Sequence, residues 1–198
     1  DSQSMKGFPL TELPGTLTEV ENIYKMVADT IGLYKKVTGS RLSKSYFENI
    51  KLQDYDIIHI ATHGVVNTKK PELSGLIFYP ENNNSDNVLY AGEIYNLQTN
   101  ADLVVLSACE TGLGKISQSE GIIGLTRSFI YAGAKNIVVS LWMVEDASTA
   151  ELMQNFYRRI MSGKSYAKAL HEAKIQLIDS GEKYAHPFFW SPFVLIGR

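Results

Sequence analysis

Cysteine is nearly absent from this chain: there is one, Cys109, in 198 residues. A lone thiol cannot close a disulfide within the chain, so nothing points to an oxidising compartment and a cytoplasmic location is expected. Long apolar runs are missing as well. No stretch approaches about 18 consecutive apolar residues, so no membrane-spanning helix is expected. The opening Asp1-Ser-Gln-Ser-Met5-Lys-Gly7 lacks the basic, apolar, cleavable pattern of a secretory signal. Charge of one sign does not accumulate: 19 Lys and Arg face 21 Asp and Glu, for a net −2 with no long basic run. That balance argues against nucleic acid as a direct partner. No repeat with a period of roughly 20 to 50 residues is visible. The chain starts at Asp1 rather than at a methionine, and further protein is expected to precede it.

What is present suits a soluble fold. Hydrophobic residues make up 44% and charged residues 20%, enough for a core that needs neither disulfide nor structural metal. Pro9, Pro14 and two glycines make residues 1–15 a linker or edge segment, leaving residues 16–198 as one domain.

Apolar runs and capping patterns set the expected elements. Thr16-Leu-Thr-Glu19 reads as a capping box opening a helix to about Asp29, with Leu17, Val20, Ile23, Tyr24 and Val27 on its apolar face. A short strand is expected over Gly32–Val37 and a helix from Ser45. Residues 64–75 read as loop, Leu76–Tyr79 as a short strand and Ala91–Leu97 as a short helix. Ser117-Gln-Ser-Glu120 and Ser148-Thr-Ala-Glu151 read as further capping boxes, with helix ends at Gly133 and Gly163. Ser165 opens a helix to about Ile178. Phe188–Ile196 is expected to be a last strand, which Pro187 and Pro192 confine to an edge or a bulge. Near-continuous apolar strands alternating with amphipathic helices predict an α/β fold with a mostly parallel sheet covered on both faces.

Two of those runs end on chemically capable residues. Asp56-Ile-Ile-His-Ile-Ala-Thr62 leads to His63 and Gly64; Asp102-Leu-Val-Val-Leu-Ser-Ala-Cys109 leads to the only thiol. Sites in open α/β sheets form beyond the carboxyl ends of the strands. Parallel neighbours would therefore bring His63 and Cys109 to one rim as base and nucleophile. The histidine stands roughly 50 residues upstream of the cysteine, as in caspase-type dyads and unlike the papain order. Gly64 lets a substrate backbone approach, and the N–H groups of Gly64 and Cys109 are candidate oxyanion donors. A cysteine at a strand end can also be a small buried hydrophobe. His59, inside the strand, reads as a core residue or a donor behind the site.

Further blocks carry a family. Ile60-Ala-Thr-His-Gly64, Leu106-Ser-Ala-Cys-Glu-Thr-Gly112, Glu120-Gly121, Ala132-Gly133-Ala134, Ser140-Leu-Trp142 with Asp146, and Phe188-Phe-Trp-Ser-Pro-Phe193 follow in this order. With them the chain resembles the CHAT family, caspase-like peptidases often found behind tetratricopeptide repeats, over roughly residues 10 to 197. The resemblance implies a caspase-like three-layer α/β/α sandwich. It also implies a regulated, bacterial-type cysteine endopeptidase with catalytic His63 and Cys109, acting on a protein substrate and needing no metal or organic cofactor. An upstream tetratricopeptide-repeat or other sensor domain is the implied partner, with no membrane contact.

Ser107 replaces the glutamine of the caspase pattern, which weakens any case for cleavage after aspartate. Trp142-Met-Val-Glu-Asp146 is similar to the segment lining the first specificity pocket in relatives. Asp146 would there select Arg or Lys, with Trp142 as a wall; Glu110, directly after the thiol, is a candidate to bind a substrate N–H or to orient the loop. Glu145 is the alternative acid. Asp146 also suits a helix start, Trp142 a buried strand end, and Glu110 a solvated loop. A catalytically silent interaction module of the same family is the alternative to an enzyme.

Overall fold

The apolar runs pair as strands, and β-carbon alternation decides which side chains go to which face. A computed structural model describes residues 14–28, 32–67, 69–82, 85–107, 109–110, 119–181 and 183–197. In chain order these form α1 (Pro14–Ala28), α2 (Lys44–Glu48), β1 (Ile57–Ile60), β2 (His63–Val65), β3 (Gly75–Ile77), β4 (Val88–Tyr90), α3 (Ala91–Ile94) and β5 (Leu103–Leu106). There follow β6 (Cys109–Glu110), α4 (Ser119–Tyr131), β7 (Asn136–Ser140), α5 (Asp146–Met161), α6 (Tyr166–Asp179), α7 (Pro187–Trp190) and β8 (Phe193–Gly197).

The central sheet runs β1-β5-β7-β8. β1, β5 and β7 are parallel, and β8 lies antiparallel on β7 at the edge. All four residues of β5 are buried, which is why that strand reads as an unbroken apolar run. Successive residues face opposite sides. Val104 and Leu106 join Ile58, Ile60, Ile137 and Val139 under Phe47, Ile94, Leu125 and Phe129 of α2, α3 and α4. Leu103, Val105 and Val138 face Ile23, Leu152, Phe156 and Leu177 of α1, α5 and α6. Helices thus cover both faces, giving the α/β/α sandwich. Each large side chain buried there contributes about 1.5–3 kcal/mol. No helix among the described residues is long and apolar enough to cross a membrane.

A second sheet, β4-β3-β2-β6, continues from the first. β3 is antiparallel to both β2 and β4, while β2 and β6 are parallel. Residues 64–75 were expected to be loop, yet Gly64 and Val65 belong to β2 and Gly75 opens β3. Strands of two or three residues are too short to show an alternating pattern, and β4 left no signal for the same reason.

Other expectations move at element ends. Residues 33–37 form no strand, and Leu33 is 68% exposed. The cap of α2 is Ser43, whose Oγ accepts from the Tyr46 N–H at 3.1 Å, rather than Ser45. α5 opens at Asp146 with Glu145 as its cap, and Ser148 donates from inside the helix to the Glu145 carbonyl at 2.9 Å. α1 opens at Pro14, where a proline's missing N–H costs nothing. Its buried face carries Glu19 and Ile23, with Met26 partly buried, while Leu17 is exposed. Phe188 lies in α7, started by Pro187, and the edge strand begins only at Phe193. Ser165 caps α6 as expected, and positive-φ glycines follow α4 and α5 at Gly133 and Gly163. Residues 1–13, Ser117 and Gln118 lie outside the described residues.

Candidate active site

The two strands that end the dyad's apolar runs stay side by side through both sheets. In the central sheet Ile60 pairs with Leu106, and the Ser107 N–H donates to the Ile60 carbonyl at 3.0 Å. Each chain then spends two residues between sheets and enters the second one together. There His63 and Cys109 are Cα partners on adjacent parallel strands, as are Gly64 and Glu110. Neighbouring strands run about 4.8 Å apart, so sequence separation disappears at this rim. His63 is buried, at 5% exposure. Its strand is braced on the far side by β3, where His63 pairs with Ile77 and Gly64 with Leu76. The Thr62 hydroxyl donates to the Ile77 carbonyl at 2.5 Å and ties the entry of β2 to the same strand. The side chains of Cys109, Glu110 and Glu120 lie outside the described residues.

The third strand to reach this rim is β7. It neighbours β5, with Val139 paired to Leu106, and residues 141–146 follow its end. The Ser140 hydroxyl donates to the Trp142 carbonyl at 2.6 Å, and Trp142 Nε1–H donates to the Phe188 carbonyl at 3.1 Å. Trp142 is half-buried, with its ring 6.4 Å from that of Phe188. Asp146 is half-buried at the start of α5, so close to α1 that a side chain on Gly15 would collide with it. Glu145 is engaged elsewhere: Lys183 Nζ stands 2.5 Å from its Oε2. That bond raises the Lys183 pKa.

Behind the rim lies a polar group that the sequence reading did not assemble. Glu19 of α1 is buried, at 3% exposure. Its Oε2 accepts from the Ser107 hydroxyl at 3.0 Å, and its Oε1 lies 3.1 Å from His59 Nε2. That second contact is an ion-pair approach rather than an aligned hydrogen bond. On its other side His59 Nδ1 is 3.0 Å from the Tyr157 hydroxyl. Glu19 and Tyr157 thus flank the His59 ring, one at each nitrogen. Burial foremost, and then the Glu19 charge, push the Tyr157 pKa well above its ordinary value, so the hydroxyl keeps its proton. The missed signal was Glu19 itself. It shares a helix face with Ile23 and Met26, but the Thr16–Glu19 spacing offered a capping role that accounted for it.

A family model described as "CHAT domain" matches residues 1–198. Tetratricopeptide repeat protein 28 of Homo sapiens is 36% identical over 110 residues, which is 56% of this chain and 4% of that protein. Tetratricopeptide repeat protein 28 of Mus musculus is 33% identical over 110 residues, with the same shares. The chain spans about 4% of the length of these relatives.

Proposed function

The chain belongs to the CHAT domain family, caspase-like in kind, and from that premise we propose that it is a cysteine endopeptidase with a His63/Cys109 dyad. The in-register pairing of His63 with Cys109 on adjacent parallel strands carries this reading. The Cys109 thiolate attacks the scissile carbonyl carbon, its proton having passed to His63. The resulting oxyanion sits on the N–H groups of Gly64 and Cys109, where each such donor is worth about 2.7–4 kcal/mol in the transition state. As the C–N bond breaks, His63 returns the proton to the leaving amine. A water deprotonated by His63 then attacks the thioester, releasing the carboxylic acid and the free thiol.

Asp146 selects Arg or Lys before the cut. Its place after β7, beside the strand that leads to Cys109, supports this role. Trp142 forms a wall of the same pocket, and Glu110 receives a substrate N–H. The substrate is a cytoplasmic protein. The tetratricopeptide-repeat names of the relatives support a sensor domain upstream in the same polypeptide.

Alkylation tests the chemistry without knowledge of the substrate. Cys109 is expected to react with iodoacetamide faster than free cysteine at neutral pH, and His63→Ala is expected to remove that advantage. Reactivity no greater than free cysteine in both proteins would leave a catalytically silent interaction module.

A further inference from the structure

We propose that Glu19 is the positioning residue of the dyad: its single buried carboxylate, reaching in from α1, holds both strands that lead to His63 and Cys109. The inference rests on the endopeptidase reading above for its consequence, and on the buried polar group for its geometry. One oxygen of Glu19 contacts His59 and the other accepts from Ser107. His59 lies in β1, four residues before His63, and Ser107 follows β5, two residues before Cys109. These strands are neighbours, with His59 paired to Val105 and Ile60 to Leu106. The carboxylate therefore spans the two strands just below the level at which they enter the second sheet and meet as His63 and Cys109.

A purely structural origin accounts poorly for this residue. Burying a carboxylate is costly unless it is paired, and a well-packed apolar side chain in its place is often neutral or stabilising. The position already belongs to an apolar face with Ile23 and Met26. Retention of an acid here makes sense if it fixes geometry rather than adds stability. Two further contacts stiffen the clip. Tyr157 of α5 holds His59 from the side opposite Glu19, and α1 packs along α5 with Gly15 against Asp146. A displacement of α1 would thus be felt at the dyad strands and at the start of α5 together.

The test compares the 198-residue chain with Glu19→Leu, Glu19→Gln and Ser107→Ala. Melting temperature, the pH profile of Cys109 alkylation, and kcat and KM on a peptide the protein cuts would be measured for each. Glu19→Leu is expected to fold with a melting temperature near that of the parent, to lose about tenfold or more in kcat with KM within about twofold, and to shift its alkylation profile toward that of a free thiol near pH 8.5. Glu19→Gln, which can still accept from Ser107, is expected to recover part of the loss. A folded Glu19→Leu with parental kcat and alkylation profile overturns the proposal. Should Glu19→Leu fail to fold, Ser107→Ala decides: a lowered kcat with unchanged KM supports the clip, and parental kcat and profile overturn it. If the parent chain cuts nothing, a profile that shifts in the variants upholds the positioning role while the endopeptidase reading falls, and identical profiles overturn the positioning role as well.

Discussion

Replacing Tyr157 with phenylalanine should exchange one stability loss for another, and pH separates the two. Tyr157 is 3% exposed, and its hydroxyl stands 3.0 Å from His59 Nδ1. Phenylalanine keeps the ring and its edge-on contact with Phe156 but leaves a part-buried ring nitrogen unpaired. That costs about 1–3 kcal/mol at neutral pH. The hydroxyl carries a liability of its own. Burial, reinforced by the Glu19 charge, holds its pKa well above the ordinary value. From about pH 10 upward an unfolded tyrosine releases its proton while the folded one keeps it. The unfolded state then binds fewer protons, so stability falls as pH rises. The tyrosine's contribution is fully present below about pH 10. It is lost at about 1.4 kcal/mol per pH unit above that, until the folded pKa is reached. Tyr157→Phe has no such loss. Tyr90 and Tyr166 are also raised by burial, but they are common to both proteins and cancel in the difference. Urea unfolding followed by far-ultraviolet circular dichroism at pH 7 and pH 11 measures the gap. The variant should be less stable by about 1–3 kcal/mol at pH 7, and the gap should shrink by about 1.4 kcal/mol at pH 11. A gap of the same size at both pH values would refute the buried, protonated hydroxyl.

Gly133→Ala should destabilise by about 1–3 kcal/mol, because Gly133 sits at φ +113 and a β-carbon there would fall on the Thr99 carbonyl; an unchanged melting temperature would show that the turn after α4 relaxes freely. Ser43→Ala removes the cap of α2 and should cost about 1 kcal/mol in chemical unfolding, whereas Ser45→Ala should cost less; the reverse ranking would restore the helix start at Ser45 read from sequence. Asp146→Asn should lower cleavage after Arg and Lys relative to cleavage after apolar residues by about tenfold, the scale of one charge-assisted hydrogen bond. Equal ratios in a folded variant would leave Asp146 as a helix-start residue packed on Gly15.

The inner strands β5 and β7 were legible because they are buried on both sides. Leu103–Leu106 and Asn136–Ser140 are apolar runs bounded by polar or glycine-bearing turns, and the first sits within a residue or two of the run read from sequence. The second sheet was not legible, since β2, β3, β4 and β6 are two or three residues long. Helix starts were misplaced where several serines, threonines and acids crowd together, as at Ser43 and Ser45 or at Glu145 and Ser148, because any of them can cap. His63 and Cys109 stood out as chemically capable residues after apolar runs. The equal two-residue passage from Ile60 to His63 and from Leu106 to Cys109 was visible too, but its meaning depended on a strand register that no local pattern encodes. Glu19 escaped notice for a different reason. A short-range role explained it, and its partners His59 and Ser107 lie far along the chain.

The most direct measurement is digestion of a diverse peptide library by the chain, beside Cys109→Ala and His63→Ala, with cut sites read by mass spectrometry. Cuts made by the parent chain should vanish in both variants, and the residue before each cut should be Arg or Lys. Cuts that persist in the folded variants, or a parent chain that makes none, would contradict a His63/Cys109 endopeptidase.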